Sequence, residues 1–502
     1  MSFANVLVFF DKNLLTFAMG RLVWPKSSNR HALEYRMQKS LLIFATALTT
    51  ASCASVPAFQ PDHALPATPD SWSAAAESSG AIATQDWVES LGAPRLAALV
   101  DEALAANPGL AQSLARYDAA RAAARIAGAN RLPSLSLSTG YTRTEPYRGS
   151  GADSLSLGLS SSWEADLWGR VRDGANAGAL DAEAAADDLA AARLSVAGLV
   201  AKGWLALIEA RQQTELARRD VQRSQNALEL TERRFARGLV RSSDVRTARS
   251  ALASSEAALA SRERAEAAGA RSLETLLGRY PAGQIAREGD FPEIGTLAGI
   301  GSPSDLLLRR PDVRAAERRL TAAGLRADAA GKALLPSLSL TGSAGTGGTD
   351  VADMFDIDTL VSSLTASLVA PIFAGGSLRA QRDQAEANAR LQVASYVSTV
   401  LTAWQEAENA IYADDILARR VASLEQAFNE AAEAEALVTR QYSSGVSTIF
   451  DLLNAQSRRI SAESQYISAR RDRATNRIDL YLAIAGDFSA APSADPAAQT
   501  GE

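Results

Sequence analysis

The sequence predicts a membrane α+β fold, in which a tandem duplicated β-strand pair is joined to very long coiled-coil helices. Three observations predict this fold class. A set of motifs occurs twice along the chain, four strands alternate leucine with small hydroxylated residues, and the segment from Ser377 to Ser444 lacks glycine and proline. The duplication sets the domain organisation, the strands indicate a bilayer, and the uninterrupted segment indicates helices too long for a globular domain.

Composition argues against several classes of function. The chain of 502 residues has a formal net charge of −6, whereas proteins that bind nucleic acid need clustered positive charge. Its two histidines, His31 and His63, both lie near the N-terminus, so the rest of the chain can build neither a histidine triad nor a histidine-based zinc site. We expect no nucleic-acid partner, no cofactor, no metal site and no enzymatic activity. The carboxylate pairs Asp187/Asp188 and Asp414/Asp415 lie in highly charged helical stretches, and we expect them on solvated faces.

Residues 37–52 have the order of a secretory signal: a basic residue, an apolar run and small residues. An alanine and a serine directly precede Cys53, which resembles a bacterial lipoprotein signal, whose cysteine becomes the lipidated, palmitate-bearing first residue. Thr50 stands where leucine is usual at such sites. An ordinary signal peptide cut nearby therefore remains an alternative.

The segments around this signal carry little fold information. Residues 1–36 fit no signal pattern, so we interpret them as a spurious upstream extension and expect translation to begin at Met37. Residues 53–90 are predicted to be a lipidated N-terminus followed by a proline-rich tether. Residues 487–502 are rich in alanine, proline and serine, which is typical of a disordered tail.

Two well-separated motifs recur at nearly the same offset. The segment Leu132–Ser138 returns as Leu335–Thr341, 203 residues later, and Phe235–Gly238 returns as Tyr442–Gly445, 207 residues later. Two anchors at one offset indicate a duplication. We place the first repeat at 91–280, a linker at 281–303 and the second repeat at 304–486.

Each repeat contains two strands whose alternation has a period of two. One face is leucine, and the other is serine, threonine and glycine where a soluble sheet would carry lysine and glutamate. This pattern is typical of a transmembrane β-barrel with a wet lumen, and a soluble sheet packed on helices is the alternative. Six aromatic residues lie near the strand ends, where an interfacial belt would need them: Tyr141, Tyr147, Trp163, Trp168, Phe355 and Phe373.

Four strands cannot close a barrel, and open strand edges are not tolerated in lipid. Several chains must therefore pool their strands. We interpret the glycine-rich segment Gly342–Gly348 as an extracellular loop between the third and fourth strands.

The segment from Ser377 to Ser444 predicts one helix of about 100 Å. Its apolar or small residues follow the spacing of a coiled coil, at Leu417, Val421, Leu424, Phe428 and Ala431. The first repeat has a similar seam of smaller residues, at Val196, Val200, Gly203, Leu207, Ala210, Thr214, Ala217 and Val221. We expect these helices to run side by side in a wall that projects from the bilayer.

Four segments together make the sequence resemble the TolC-like outer membrane factors, in particular their NodT/OprM-like lipoprotein branch. They are Leu306–Leu320, Leu335–Leu340, Pro371–Gly376 and Tyr442–Gln456. The resemblance implies a homotrimer, with a 12-stranded β-barrel in the outer membrane continuous with a 12-helix α-barrel in the periplasm. It also implies a passive exit duct for small molecules such as drugs, toxic compounds or metal ions. The implied partners are a periplasmic adaptor, an inner-membrane pump of the RND type and outer membrane lipid.

In this family the helix turns at the periplasmic tip close the duct and receive the adaptor. The resemblance carries this role to Gly238, Asp244, Tyr442, Gly445, Asp451, Asn454 and Gln456. Some branches have an acid where Asn454 stands and a base where Ser447 stands, so the gate network of this chain differs from theirs.

The same turns also admit a structural interpretation. Gly238 and Gly445 would end helices in the left-handed conformation, and Thr448–Asp451 is a capping-box pattern. Both roles can coexist. In a trimer, Asp244 and Asp451 would form rings that bind cations and repel anions.

The segment that begins with Arg310 and Pro311 is interpreted as a helix start. Downstream of it, Arg314, Glu317 and Arg318 have the spacing of ordinary surface ion pairs within one helix.

Two other functions remain open from the sequence. The duct could serve type I protein secretion, since a wide duct encodes little about its substrate. A secreted, non-membrane coiled-coil structural or adaptor protein would explain the helices, but it has no need of serine-lined strands.

Overall fold

The computed structural model describes residues 67–74, 87–285, 289–295 and 300–484, all within the unit Ala58–Glu502. Several predicted features lie outside the described residues: the extension 1–36, the signal 37–52, the lipidation site Cys53, most of the tether, part of the linker and the tail 487–502.

Both halves of the chain show the same order of elements: a helix, two strands, a very long helix and a return helix. In the first half these are α1 (Trp87–Ser90), α2 (Pro94–Ala106), α3 (Pro108–Ala129), β1 (Ser134–Thr144), β2 (Ala152–Ala165), α4 (Arg170–Ala236) and α5 (Ser242–Leu276). In the second half they are α6 (Pro303–Arg309), α7 (Pro311–Lys332), β3 (Ser337–Gly348), β4 (Val361–Val369), α8 (Ser377–Ser444) and α9 (Ile449–Ala483). The helix α8 covers the whole segment that lacks glycine and proline.

The four strands form one antiparallel sheet in the order β1-β2-β3-β4, with β1 and β4 at its edges. The register keeps like residues opposite one another, as with Leu137 and Leu159 on one face and Ser136 and Ser160 on the other. Leu135 and Leu137 are 69% and 72% exposed. A soluble sheet packed on helices would bury such leucines, so that alternative is wrong.

The prediction of an extracellular loop at Gly342–Gly348 is wrong, because the structure places this segment in β3. Gly345 pairs with Gly158 of β2, and a Cβ on Gly345 would lie 2.9 Å from the carbonyl oxygen of Leu157. A Cβ on Gly347 would lie 2.8 Å from the carbonyl oxygen of Leu155. These glycines allow a close backbone approach within the sheet. The β3–β4 connection contains two short 3-10 turns, Val351–Phe355 and Ile357–Thr359.

The helices form a wall built on the two long helices, α4 and α8. The shorter helices α3, α5, α7 and α9 pack in pairs along them. Near the sheet, α3 and α7 pack against the first half of α4, and α7 also packs against α8. Towards the turns, α5 and α9 pack against α4, and α9 packs against α8. The predicted seam residues of α8, from Leu417 to Ala431, are half-buried, and most of the residues between them are exposed.

Charged residues of α7 make ion pairs with α4, contrary to the expectation of surface pairs within α7. Arg314 and Arg318 both bind the carboxylate of Asp187, which is buried. The expectation of a solvated face is also wrong for Asp414, which lies 2.9 Å from Arg477 Nη2 and is 13% exposed at its side chain. The sequence periodicity could not identify partners on a different helix.

The apolar core lies where the shorter helices meet, midway along the wall. One cluster joins α1 and α2 to α4, α5 and α9 around Trp87, Trp204 and Leu273. A second joins α6, α7 and α8 around Leu306, Val313 and Val400, and Trp72 inserts into it. The wall is therefore fixed at its middle, and the sheet and the turns lie at its two ends.

Candidate functional site

The two helix turns use the same backbone device. Gly238 follows α4 with a φ of +74°, and Gly445 follows α8 with a φ of +88°. In each turn the next residue, Leu239 or Val446, donates its backbone N–H over 2.9 Å to a carbonyl in the last helical turn. This is the Schellman geometry, in which a left-handed glycine costs no steric strain.

Each return helix begins with an aspartate that caps it. Asp451 Oδ2 accepts hydrogen bonds from the Thr448 backbone N–H at 2.9 Å and from the Thr448 hydroxyl at 2.7 Å. The hydroxyl in turn accepts the backbone N–H of Asp451 at 3.2 Å, which completes a capping box. Asp244 caps α5 through the backbone N–H of Arg241 at 3.1 Å. The hydrogen bonds from Thr448 hold the pKa of Asp451 below its usual value.

Tyr442 is the central residue of the second turn. It is 1% exposed and packs with Ala227 of α4 and Ile449 and Leu452 of α9. Its hydroxyl lies 2.8 Å from Thr231 Oγ1, so the last turn of α8 is bonded to α4 of the other repeat.

Arg234 completes this contact. Its guanidinium carbon lies 4.7 Å from the centre of the Tyr442 ring, and its Nη1 donates a hydrogen bond to the Tyr442 carbonyl. We name Thr231, Arg234 and Tyr442 the tyrosine latch. No motif in the sequence indicates Thr231 and Arg234 as site residues. Their only signal is a spacing of three residues, which places both on one face of α4.

The remaining predicted site residues do not join the latch. Asn454 is exposed and Gln456 is buried, both on α9. Ser447 donates a hydrogen bond over 3.0 Å to Gln441 Oε1 and so supports the turn that precedes α9. The structure therefore brings Tyr442 and Gly445 together with Arg234, while Gly238 and Asp244 belong to the other turn.

A buried charge cluster lies one turn beyond Gln456. Arg459 is 2% exposed, its Nε lies 2.6 Å from Glu435 Oε2, and it also pairs with Glu463. Arg223 of α4 lies 3.5 Å from the same carboxylate of Glu435. Burial raises the pKa of the nearby Asp220. This cluster links α4, α8 and α9 behind the tyrosine latch.

Four large apolar side chains remain exposed at the turns. Phe235, Leu239, Val446 and Phe450 are 47%, 62%, 77% and 58% exposed. Exposed apolar residues gathered at one end of a molecule are typical of a surface that binds another protein. We name these four residues the apolar tip.

The duplicated strand pairs, the long helices and the paired turns match a known protein family. The family model described as outer membrane efflux protein matches residues 99–279 and 302–486. This chain belongs to the outer membrane efflux protein family. It is an outer membrane exit duct of an efflux system, as the sequence analysis predicted.

Individual relatives cover almost the whole length of the chain. The pyoverdine export outer membrane protein OpmQ of Pseudomonas aeruginosa is 32% identical over 465 residues, which is 90% of this chain and 97% of that protein. The outer membrane protein OprJ of the same species is 34% identical over 456 residues, which is 88% of this chain and 94% of OprJ.

The fold agrees with solved structures of outer membrane channels. The outer-membrane channel OprN superposes with a TM-score of 0.79 at 27% identity, covering 85% of this chain and 99% of OprN. The TolC-like fold is therefore confirmed. The interpretation as a non-membrane periplasmic coiled-coil protein is wrong, because the family consists of outer membrane channels.

Proposed function

We propose that three copies of this chain form the outer membrane component of a tripartite efflux pump. The observation that carries this proposal is the open sheet. The sheet has an exposed leucine face, which suits a bilayer, but its edge strands β1 and β4 are each paired on one side only. Unpaired backbone groups are not tolerated in lipid, so the sheet must close with further copies. Three sheets of four strands supply a 12-stranded barrel, with the leucine face towards lipid and the hydroxyl face towards the lumen. The same closure would form a periplasmic tunnel with 12 helices in cross-section, four from each chain.

The hydroxyl face fits a lumen filled with water. Serine hydroxyls pair across neighbouring strands, with Oγ to Oγ distances of 2.7 Å between Ser136 and Ser160 and 2.8 Å between Ser343 and Ser363. Such a surface lets a hydrated solute pass without binding it at one site. We propose small molecules as the substrates, and the name of OpmQ, a pyoverdine export protein, supports this class.

The tyrosine latch is the proposed gate. It bonds the α8–α9 turn to α4, so the turns can separate only if a buried hydrogen bond and the Arg234–Tyr442 contact break. The apolar tip and the exposed Asn454 are the proposed docking surface for a periplasmic adaptor, which would connect the duct to an inner-membrane pump of the RND type. We also propose that Cys53 is lipidated and anchors the N-terminus in the outer membrane.

Fractionation tests the assembly. We expect the protein in outer membranes, extracted only by detergent, and migrating as a trimer that dissociates on heating. A soluble periplasmic monomer would overturn the proposal. Labelled palmitate should enter the wild-type protein and not a Cys53→Ser variant, and equal labelling of the two would disprove the lipid anchor alone.

A further inference from the structure

The hydroxyl face of the sheet carries a single ionisable side chain. In the four strands, all of which the structure describes, this face consists of serine, threonine, glycine, alanine and valine, apart from Glu164. Glu164 lies opposite Ser339 of β3, next to the last residue of β2. It therefore stands at the end of the barrel that joins the helical tunnel.

Glu164 is paired with the first residue of the long helix α4. Arg170 Nη2 lies 2.6 Å from Glu164 Oε2, and Arg170 Nε lies 3.3 Å from Glu164 Oε1. The two side chains are 31% and 39% exposed, so both remain in contact with solvent. Glu164 also lines an open cleft of about 630 Å³ together with three hydroxyl-face residues, Ser134, Ser162 and Ser339.

Two other carboxylates at this junction hold the helices. Asp166 accepts the backbone N–H groups of Val171 and Arg172 at 3.0 Å and 2.8 Å and so caps α4. Asp173 pairs with Lys332 of α7. The Glu164–Arg170 pair differs from them because its carboxylate projects from the strand face that lines the proposed lumen.

We propose that Glu164 and Arg170 form a charge-balanced ring that keeps the duct locally unselective where the tunnel enters the barrel, so that loss of either partner changes the ion selectivity of the duct. This inference rests on the proposed function, because three copies must close with the hydroxyl face inward. Rings of charged side chains determine selectivity in wide channels, and a neutral hydroxyl lumen beyond the ring would not mask its effect. With the pair intact, the opposite charges cancel, and the ring admits solutes of either sign.

The test is a pair of single substitutions that must act in opposite directions. Trimers are reconstituted in planar bilayers, and the reversal potential is measured across a KCl gradient with ionic strength at or below 0.1 M, where screening is weak. Glu164→Gln leaves three arginines unpaired and should shift the permeability ratio towards chloride by about twofold or more. Arg170→Gln leaves three carboxylates and should shift it towards potassium by a similar factor. The double variant should return close to wild type.

Asp153 provides a matched control on the opposite face. It pairs with Arg143 over 4.0 Å at the other end of the sheet, and it shares the leucine face with Leu155. Asp153→Asn should leave the reversal potential unchanged. Wild-type selectivity in both single variants, or a shift of the same sign in both, would overturn the inference while the channel itself stands.

Two further outcomes separate this inference from the proposal on which it rests. If Asp153→Asn shifts selectivity and the substitutions at Glu164 and Arg170 do not, the sheet closes with its faces reversed. If neither the wild-type trimer nor a Tyr442→Ala trimer, in which the tyrosine latch is broken, conducts ions in either orientation, the duct itself is contradicted. Each single variant has its own expected direction of the shift in permeability ratio. If one variant does not assemble, the other alone therefore tests the inference.

Discussion

The two helix turns occupy equivalent repeat positions, yet they use their aromatic residue in opposite ways. Phe235 in the first turn is 47% exposed, whereas Tyr442 in the second is 1% exposed and bonded to Thr231. The second cap is also more complete, because Thr448 adds a side-chain hydroxyl to the box that Arg241 forms with its backbone. The duplication thus produced one turn whose aromatic ring is fastened to the other repeat and one turn whose aromatic ring is exposed in the apolar tip.

Removing the buried aromatic ring should have the largest effect. Tyr442→Ala deletes a fully buried side chain, a hydrogen bond and a cation–π contact, which together stabilise the latch by about 3 to 5 kcal/mol. We expect a severalfold increase in the conductance of the reconstituted trimer. Phe235→Ala is the matched control, and its exposed ring should change folding stability by less than about 0.5 kcal/mol. Equal conductance in the two variants would remove the asymmetry between the turns.

Polar substitution of the apolar tip should separate docking from gating. Leu239→Ser combined with Val446→Ser removes two exposed side chains that follow the turn glycines and make no latch contact. We expect binding to the adaptor to weaken at least about tenfold, since central apolar contacts dominate such interfaces. Conductance of the isolated trimer should not change. Adaptor binding is measured by titration of the detergent-solubilised trimer, and wild-type affinity in this variant would contradict the assigned surface.

A single polar change within the latch should have a smaller effect than loss of the ring. Arg234→Gln removes the cation–π contact and the hydrogen bond to the Tyr442 carbonyl, while the ring stays buried. Together these contacts are worth about 1 to 2 kcal/mol. Conductance should therefore lie between wild type and Tyr442→Ala. The exposed Arg249, which pairs with Glu232 nearby, is the control, and Arg249→Gln should behave as wild type.

The cap of α9 should give the smallest effect and a defined pH dependence. Because the folded-state pKa of Asp451 is lowered, its stabilising contribution is present above the unfolded pKa and is lost as the pH falls through the folded value. Asp451→Asn should reduce thermal stability at neutral pH and have little effect in acid. If three Asp451 side chains also form a ring, the variant should lose cation preference. An equal loss of thermal stability at every pH would contradict the role of the Asp451 carboxylate as a charged cap. Unchanged ion selectivity would contradict its role in a cation-binding ring.

The features that the sequence predicts are those that occur in both repeats or follow a strict period. The offset between Gly238 and Gly445 and the capping pattern at Asp451 identified both turns, and the alternation of leucine and serine predicted both faces of the sheet. Each turn and each strand face is formed by residues close together in the chain, so a local pattern and its recurrence at a fixed offset are sufficient to find them.

Local sequence patterns do not predict side-chain contacts between segments that are far apart in the chain. Thr231 and Arg234 face Tyr442 from a helix more than 200 residues earlier, and Asp187 receives its two arginines from α7. The glycine-rich pattern around Gly345 is typical of a loop, whereas Gly345 lies in β3 and permits a close approach of the neighbouring strand. In each case the packing of the helix wall or of the sheet decided the role, and local pattern did not.

In the proposed trimer the hydroxyl face lines a water-filled duct and the leucine face contacts lipid. Ser160 and Leu159 are adjacent in β2 and point to opposite faces, so each can be replaced by cysteine and treated with a membrane-impermeant cationic thiol reagent during single-channel recording. Ser160→Cys should lose current in up to three discrete steps, whereas Leu159→Cys and the wild type should keep theirs. Block of Leu159→Cys with no block of Ser160→Cys would contradict this orientation of the sheet.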